Sequence, residues 1–428
     1  MKFYERDTES RLRLLAAEGS LATQDLELLS DCAALPRAVA EHLIENQIGV
    51  FPVPLGLAEH MLVDGHAYRV PMATEEPSVI AAVSNAAQRV ARSGGFHTQV
   101  LREGIPAQIV FLDHSHTRED VQATQMQEFL AARQDTITCV ADDAHPTLRS
   151  HGGGLRSVTA QAHDGFLEFD LLIDPGEAMG ANIVNTIAQA VARYLGSQLP
   201  GHEPLMAILS NATAQQRVRA SAEITMQSLA TSDMSGETVA RRIVEAARFA
   251  QCSGLRAATH NKGVMNGINA VVLATGNDTR NVGAAAYADL DDSRRTWTTW
   301  TIRTEGRKPG LLRGTIDIPL PIGSVGAAIS TLPMAGLAMR LLGQPSASQL
   351  MGIMASVGLA SNLSAMRALV TRGIQAGHMK LQLSSLAMMA GAQGRELDDL
   401  TAALRHNPAQ ANLTEARRLL TQLRADGE

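Results

Sequence analysis

Lys262 stands in a run of polar side chains, Thr259, His260, Asn261 and Asn266, interrupted by Gly263 and Gly267. So much polarity and glycine argues for a loop and against a packing element. The run leads into Asn269-Ala-Val-Val-Leu-Ala-Thr-Gly-Asn-Asp278, which reads as a buried strand closing in a turn. Asp278 is thereby predicted at a strand end, where the sites of α/β proteins gather. An ammonium and a carboxylate brought together there form a cation with a partner able to tune its proton affinity. A solvated loop lysine and a turn aspartate fit the same residues, and on composition alone that is the commoner case.

The elements that must position such a pair can be read outward from it. Residues 10 to 50 read as helical, with a turn at Leu35-Pro36. Glu75-Glu-Pro-Ser-Val-Ile-Ala-Ala opens an Ala-rich, buried helix, with Pro77 in its first turn and Gly94 as its stop. The two carboxylates at its start fit simple compensation of the helix dipole. Between residues 103 and 208 the pattern is strand (from Ala107), helix (Thr117 to Ala132), strand (Leu155 to Ala162), strand (Phe166 to Ile173), helix (Asn182 to Leu195), strand (Leu205 to Leu209). The middle strands flank Asp164-Gly165, a hairpin signal. This β-α-β-β-α-β order is ferredoxin-like. Ala178-Met-Gly-Ala-Asn opens the second helix and could offer free backbone N–H groups to a phosphate, or simply make a tight turn. Gly152-Gly-Gly154 is a second place for close approach, or a flexible connection. After Ser210 the chain reads as helical to Phe249, then as a hairpin (Trp297 to Thr304 with Leu311 to Leu320) and a long helix from Met351 to Ile374. From Arg372 it is short, helical and charged, and Gly373 and Gly377 could serve as its hinge.

Composition excludes several classes. Hydrophobic residues are 45%, charged residues 19% and aromatics 3% of 428 residues, so two or three domains with an aliphatic core are expected. A net charge of −6 without a basic run argues against nucleic acid, and the few aromatics argue against an RNA-binding ferredoxin-like module. The polar N-terminus shows no secretory signal, and no run approaches a membrane span. Cys32, Cys139 and Cys252 lack ligand spacing, so neither a disulfide framework nor a metal site is expected, and a cytoplasmic location fits.

Ala258-Thr-His-Asn-Lys-Gly-Val-Met-Asn-Gly-Ile and Ala274-Thr-Gly-Asn-Asp resemble signature blocks of 3-hydroxy-3-methylglutaryl-CoA reductase. Glu45-Asn-Gln-Ile-Gly, Glu75-Glu-Pro-Ser-Val-Ile-Ala-Ala, Ala178-Met-Gly-Ala-Asn, Pro319-Leu-Pro-Ile-Gly and Gly373-Ile-Gln-Ala-Gly-His-Met match in order, from about residue 40 to about 395. The short form without an anchor is similar to the class II bacterial enzymes. The resemblance implies an α+β protein in three parts. Residues 1–102 and 209–371 would form a large mixed α/β substrate and dimerisation domain around a central buried helix. Residues 103–208 would be an inserted ferredoxin-like NAD(P) domain, and residues 372–428 a mobile helical flap.

The implied reaction interconverts (R)-mevalonate plus CoA and 3-hydroxy-3-methylglutaryl-CoA through mevaldehyde, consuming or producing two NAD or NADP per turnover. It implies roles as follows. Lys262 polarises the carbonyl, with Asp278 as its partner. Glu76, buried beside another carboxylate, acts as an acid. His378 protonates the CoA thiolate. Arg256 pairs with the substrate carboxylate, Ser78, Thr259 and Asn266 bond its polar groups, and Arg6 contacts a CoA phosphate. Met179, Gly180, Ala181, Asn182 and Asn211 attend the cofactor. A homodimer with shared sites is implied. NAD-preferring members can carry an Asp ahead of the Gly-Gly-Gly turn; here His145 falls at that place and Arg149 could attract a 2′-phosphate. NAD-dependent mevalonate degradation is the leading expectation. NADPH-dependent biosynthesis, another acid-bearing acyl-CoA as substrate, and a catalytically dead CoA-binding protein are the rivals; the intact Glu76, Lys262, Asp278 and His378 argue against the last.

Overall fold

Asp64 and Gly65 both adopt left-handed φ, 49° and 82°, the geometry of a tight hairpin turn. They join β1 (Leu55–Val63) to β2 (His66–Ala73), the start of a six-stranded sheet in this computed structural model. The structure describes residues 2–30, 35–113, 119–304, 310–371, 373, 383–407 and 410–426. The sheet is completed by β3 (Phe96–Arg102), β8 (Gln216–Thr225), β9 (Thr298–Arg303) and β10 (Leu311–Pro319), in the order β2-β1-β3-β8-β10-β9. The β9–β10 hairpin is where the sequence placed it. β8 is a correction: its Gln216-Arg-Val-Arg-Ala-Ser-Ala-Glu alternation buries every second residue, a period of two inside a segment read as helix.

Two long helices pack on each other and on this sheet. Helix α14 (Ala347–Val370) begins with a capping box between Ser346 and Gln349, and every residue from Leu350 to Leu363 is buried. Contrary to expectation, it is long and apolar enough to span a membrane; here it is the central core helix. Its neighbour α10 (Gly254–Ala274) is the larger correction, for it contains the whole polar run around Lys262 and most of the supposed strand. Val264, Ile268, Val271 and Val272 are buried at helical spacing. A helical glycine costs about 1 kcal/mol relative to alanine. At Gly267 close packing offsets that cost: a Cβ there would stand 3.0 Å from Ser361 Cβ and 3.1 Å from the Val357 carbonyl. At Gly358 on α14 it would stand 2.9 Å from the Ile268 side chain.

The second sheet has its own core. β4 (Ile105–Leu112), β5 (Gly154–His163), β6 (Phe166–Asp174) and β7 (Glu203–Leu209) run in the order β5-β6-β4-β7, all antiparallel. Helices α5 (Glu119–Ala131) and α8 (Ala181–Gln198) complete the ferredoxin-like order, with α6 (Gln134–Ala144) and α7 (Pro146–Ser150) added before β5. Ile109, Phe111, Phe169, Leu171, Ile187 and Val191 form the centre of this core.

The N-terminal region is less helical than expected: α1 (Thr8–Ala17), α2 (Thr23–Ser30) and α3 (Arg37–Leu43) are followed by a segment without regular structure to Pro54. At the other end, residues 383–389, α15 (Arg395–His406) and α16 (Leu413–Asp426) share a small core of Leu383, Leu400, Leu404 and Leu420.

Candidate active site

Helix α4 (Val79–Ala91) starts two residues later than the sequence suggested, at Val79, because Ser78 occupies the left-handed region with φ of 76°. Pro77 therefore lies outside the helix. The turn before it is tied by the Glu76 N–H, which donates to Thr74 Oγ1 at 3.1 Å. This projects Glu76 across to α10, where Lys262 Nζ donates to its Oε2 at 2.7 Å. Asn266, one helical turn on, donates its Nδ2 to the same carboxylate at 3.2 Å. The ion pair is open to solvent, with 59% of the lysine side chain and 37% of the glutamate side chain exposed. Such a pair contributes at most about 1 kcal/mol to folding, so stability does not account for it. Within one chain the groups hydrogen-bonded to the Glu76 carboxylate are an ammonium and an amide.

The three side chains face a cleft of about 500 Å³ between α4, α10 and α14, lined also by Ser78, Arg256 and Thr259. The Arg256 guanidinium approaches Met366 Sδ at 3.8 Å, and among the described residues no carboxylate pairs with it. Burial pushes its proton affinity down, so an anionic group would relieve the desolvation. The α14 wall is Ser361, Asn362, Ser364 and Arg367. His260, also at the cleft, is 2% exposed; burial first, and the charge of Arg256 second, hold its pKa down to about 4. Its Nε2 meets Thr298 Oγ1 at 2.6 Å and the Asn362 amide at 3.0 Å, and Asn362 Oδ1 accepts from Trp300 Nε1 at 2.8 Å. This network ties α10 to β9 and α14.

At the far end of α10 the arrangement is different. Asp278 is the N-cap of α11 (Thr279–Ala288), accepting from the N–H groups of Arg280 and Asn281. Its carboxylate also pairs with the Arg280 side chain at 2.9 Å, which holds its proton affinity below the usual carboxylate range. The anticipated pairing with Lys262 is not made within one chain. Twelve helical steps lead from Lys262 to Ala274, a rise of about 18 Å.

On the small sheet, Gly180 (φ of 98°) is the N-cap of the 18-residue α8 and supplies no side-chain cap, leaving the first N–H groups of the helix to an anion. The Gly152–Gly154 turn lies beside it, since Gly154 pairs with Asp174 at the end of β6. Met179, Ala181, Asn182, His145 and Arg149 thus gather at one end of this sheet. Asn211 bonds to Asn281 Oδ1 at 2.7 Å. Arg149 is already engaged by Asp142.

A family model described as hydroxymethylglutaryl-coenzyme A reductase matches residues 7–383. The chain belongs to that reductase family. It is 37% identical to the 3-hydroxy-3-methylglutaryl-coenzyme A reductase of Archaeoglobus fulgidus over 99% of this chain and 94% of that protein. It is 30% identical to a probable reductase of Borreliella burgdorferi over 81% of this chain and 77% of that one. The solved 3-hydroxy-3-methylglutaryl-coenzyme A reductase of Streptococcus pneumoniae superposes with a TM-score of 0.80 at 37% identity, covering 98% of this chain and 99% of that chain. A second pneumococcal structure, described as the class II enzyme bound to NADPH in open conformations, gives 0.79 at 35% identity over 86% and 99%.

As a member of the reductase family, the chain is an oxidoreductase. Of the substrate residues read from sequence, Arg6 is not at the cleft and instead stands near Glu18. His378 lies outside the described residues. Sequence reading missed His260 as a buried anchor and Ser361, Asn362 and Ser364 as cleft wall. The signal was present in the polar positions of an otherwise apolar α14, which amphipathic core packing seemed to explain.

Proposed function

We propose that the chain interconverts 3-hydroxy-3-methylglutaryl-CoA and mevalonate plus CoA by two hydride transfers through mevaldehyde. The observation that carries this reading is the convergence of Lys262, Glu76 and Asn266 opposite Arg256 in one cleft. Arg256 takes the free carboxylate of the acyl group, and Ser78 and Thr259 hydrogen-bond its polar atoms. Lys262 donates to the carbonyl oxygen and stabilises the developing oxyanion. Glu76 holds the ammonium on that oxygen, and, when it has taken a proton from solvent, serves as the acid that passes this proton to the oxygen. His378 protonates the departing thiolate.

A nicotinamide dinucleotide supplies and accepts hydride. Its phosphates fit the uncapped start of α8, with Met179, Ala181 and Asn182 beside them and Asn211 toward the ring. Residues 1–102 and 209–371 then form the acyl-CoA domain, 103–208 the dinucleotide domain and 372–428 the flap.

Asp278 completes the site from a second copy of the chain, since within one chain the helix rise of about 18 Å holds it away from Lys262. Support for a homodimer comes from the irregular segment after α3, where Ile44, Ile48, Val50 and Phe51 are largely exposed. A fully active monomer in sedimentation would overturn this.

NAD-dependent mevalonate oxidation is the direction we favour. Asp142 Oδ1 stands 3.6 Å from the Cβ position of Gly154, so a carboxylate faces the glycine turn although His145 holds the expected place in sequence. That carboxylate neutralises Arg149 and opposes a 2′-phosphate. NADPH-dependent synthesis is the second reading, supported by the NADPH of the pneumococcal neighbour. Absorbance of reduced nicotinamide, measured with mevalonate, CoA and either NAD⁺ or NADP⁺, tests both. Faster reduction of NAD⁺ is expected, and no reduction of either nucleotide would overturn the proposal.

A further inference from the structure

Pro319-Leu-Pro-Ile-Gly323 is a motif to which the cleft gives no role, for none of its residues lines the cleft. It instead meets the opening of the dinucleotide helix from below. A Cβ on Gly323 would stand 2.3 Å from the Met179 nitrogen and 2.6 Å from the Ala178 carbonyl carbon, both backbone atoms. Only glycine allows this approach. Ala178 forms a parallel bridge with Val325, and the Ser324 N–H donates to the Glu177 carbonyl at 2.9 Å. Glu177 Oε2 accepts from Ser324 Oγ at 2.6 Å and from the Ala347 N–H, at the start of α14, at 2.6 Å.

Gly323 is itself held by Asn277, in the turn that ends α10. Asn277 Oδ1 accepts from the Gly323 N–H at 2.8 Å, and its Nδ2 donates to the Gly323 carbonyl at 3.0 Å. The amide is buried, so this two-point grip is made away from competing water. Thus one turn joins the helix bearing Lys262 to the loop that opens α8.

We infer that Asn277 and Gly323 are positioning residues that set the dinucleotide loop, 177–180, in register with the acyl cleft. The inference rests on the functional reading above and adds a device to it: neither residue touches substrate, and both act through the backbone of Ala178 and Met179. Hydride transfer needs two ligands bound by separate sheets to meet at near contact, and misplacement by about 1 Å can cost on the order of a hundredfold in rate.

The experiment uses the full-length protein and Gly323→Ala and Asn277→Asp. The first inserts the clashing Cβ; the second keeps the acceptor and shape but removes the donated hydrogen bond. Calorimetric titration with NAD⁺ or NADP⁺, and separately with 3-hydroxy-3-methylglutaryl-CoA, is paired with thermal unfolding. Each folded variant is expected to weaken dinucleotide binding about tenfold or more while acyl-CoA affinity stays within about twofold. If Gly323→Ala does not fold, Asn277→Asp alone decides. Unchanged dinucleotide affinity, or equal loss for both ligands, overturns the inference. A wild-type chain that binds neither dinucleotide overturns the functional reading itself, and the inference with it.

Discussion

Helices α4 and α8 both begin from a residue in the left-handed region, and neither start carries a side-chain cap hydrogen bond. At α8 the residue is Gly180, whose missing Cβ also leaves room for Pro175, 2.5 Å from where that atom would lie. At α4 it is Ser78, which bears the left-handed conformation at a cost of about 1–2 kcal/mol that glycine would avoid. The difference teaches what each helix start is for. On the proposed reading the backbone at the start of α8 would do the binding, and a side chain would obstruct it. At α4 a serine that lines the cleft is kept against backbone strain, in keeping with the substrate contact proposed for it.

The comparison is tested most severely at Lys262, which the α4 turn serves through Glu76. Lys262→Ala is expected to lower turnover by about two orders of magnitude or more while dinucleotide affinity is unchanged. A variant retaining a few tenths of the wild-type rate would remove the chemistry from this cleft. Gly180→Ala acts on the other helix start. It should raise the KM and Kd for dinucleotide about tenfold and leave acyl-CoA binding intact. Loss of acyl-CoA binding instead would show that the two starts are not separate sites.

Ser78→Gly sharpens the contrast, because its two effects have opposite sign. The protein should gain up to about 1 kcal/mol in denaturant unfolding, as backbone strain is relieved against a more flexible unfolded chain, yet lose acyl-CoA affinity. A variant that is neither more stable nor weaker in binding would make Ser78 a plain turn residue.

The smallest effect on activity is expected at His260, and its signature is pH. Its native pKa of about 4 lies below its unfolded value of about 6.5. Between those values the unfolded chain holds a proton that the native protein does not. Stability therefore falls as pH drops through that window, by at most on the order of 3 kcal/mol. His260→Gln should flatten this slope in unfolding measured at pH 7 and pH 5. An identical slope in the variant would mean that the imidazole is not held neutral by burial.

Residue types and short-range spacing made much of this legible. Period-two alternation and Asp164-Gly165 are local signals, and they are sufficient for the order of the ferredoxin-like sheet. The block order was sufficient for the family. The β1–β2 hairpin went unread although Asp64-Gly65 marks its turn, while β3 and β8 were missed because β8 pairs with β3 and β10, segments far from it in the chain.

The sequence by itself determined which side chains were available for chemistry and in what order. Only the tertiary structure decided that residues 254–274 are a helix, because an apolar β-branched run fits either a strand or one face of a helix until its neighbours are known. The same packing against α14 allowed Gly267 to remain helical and turned Lys262 toward Glu76, 186 residues away in the chain. Within one chain it also carried Asp278 out of reach of Lys262, since a rigid helix keeps its two ends apart however near they stand in sequence.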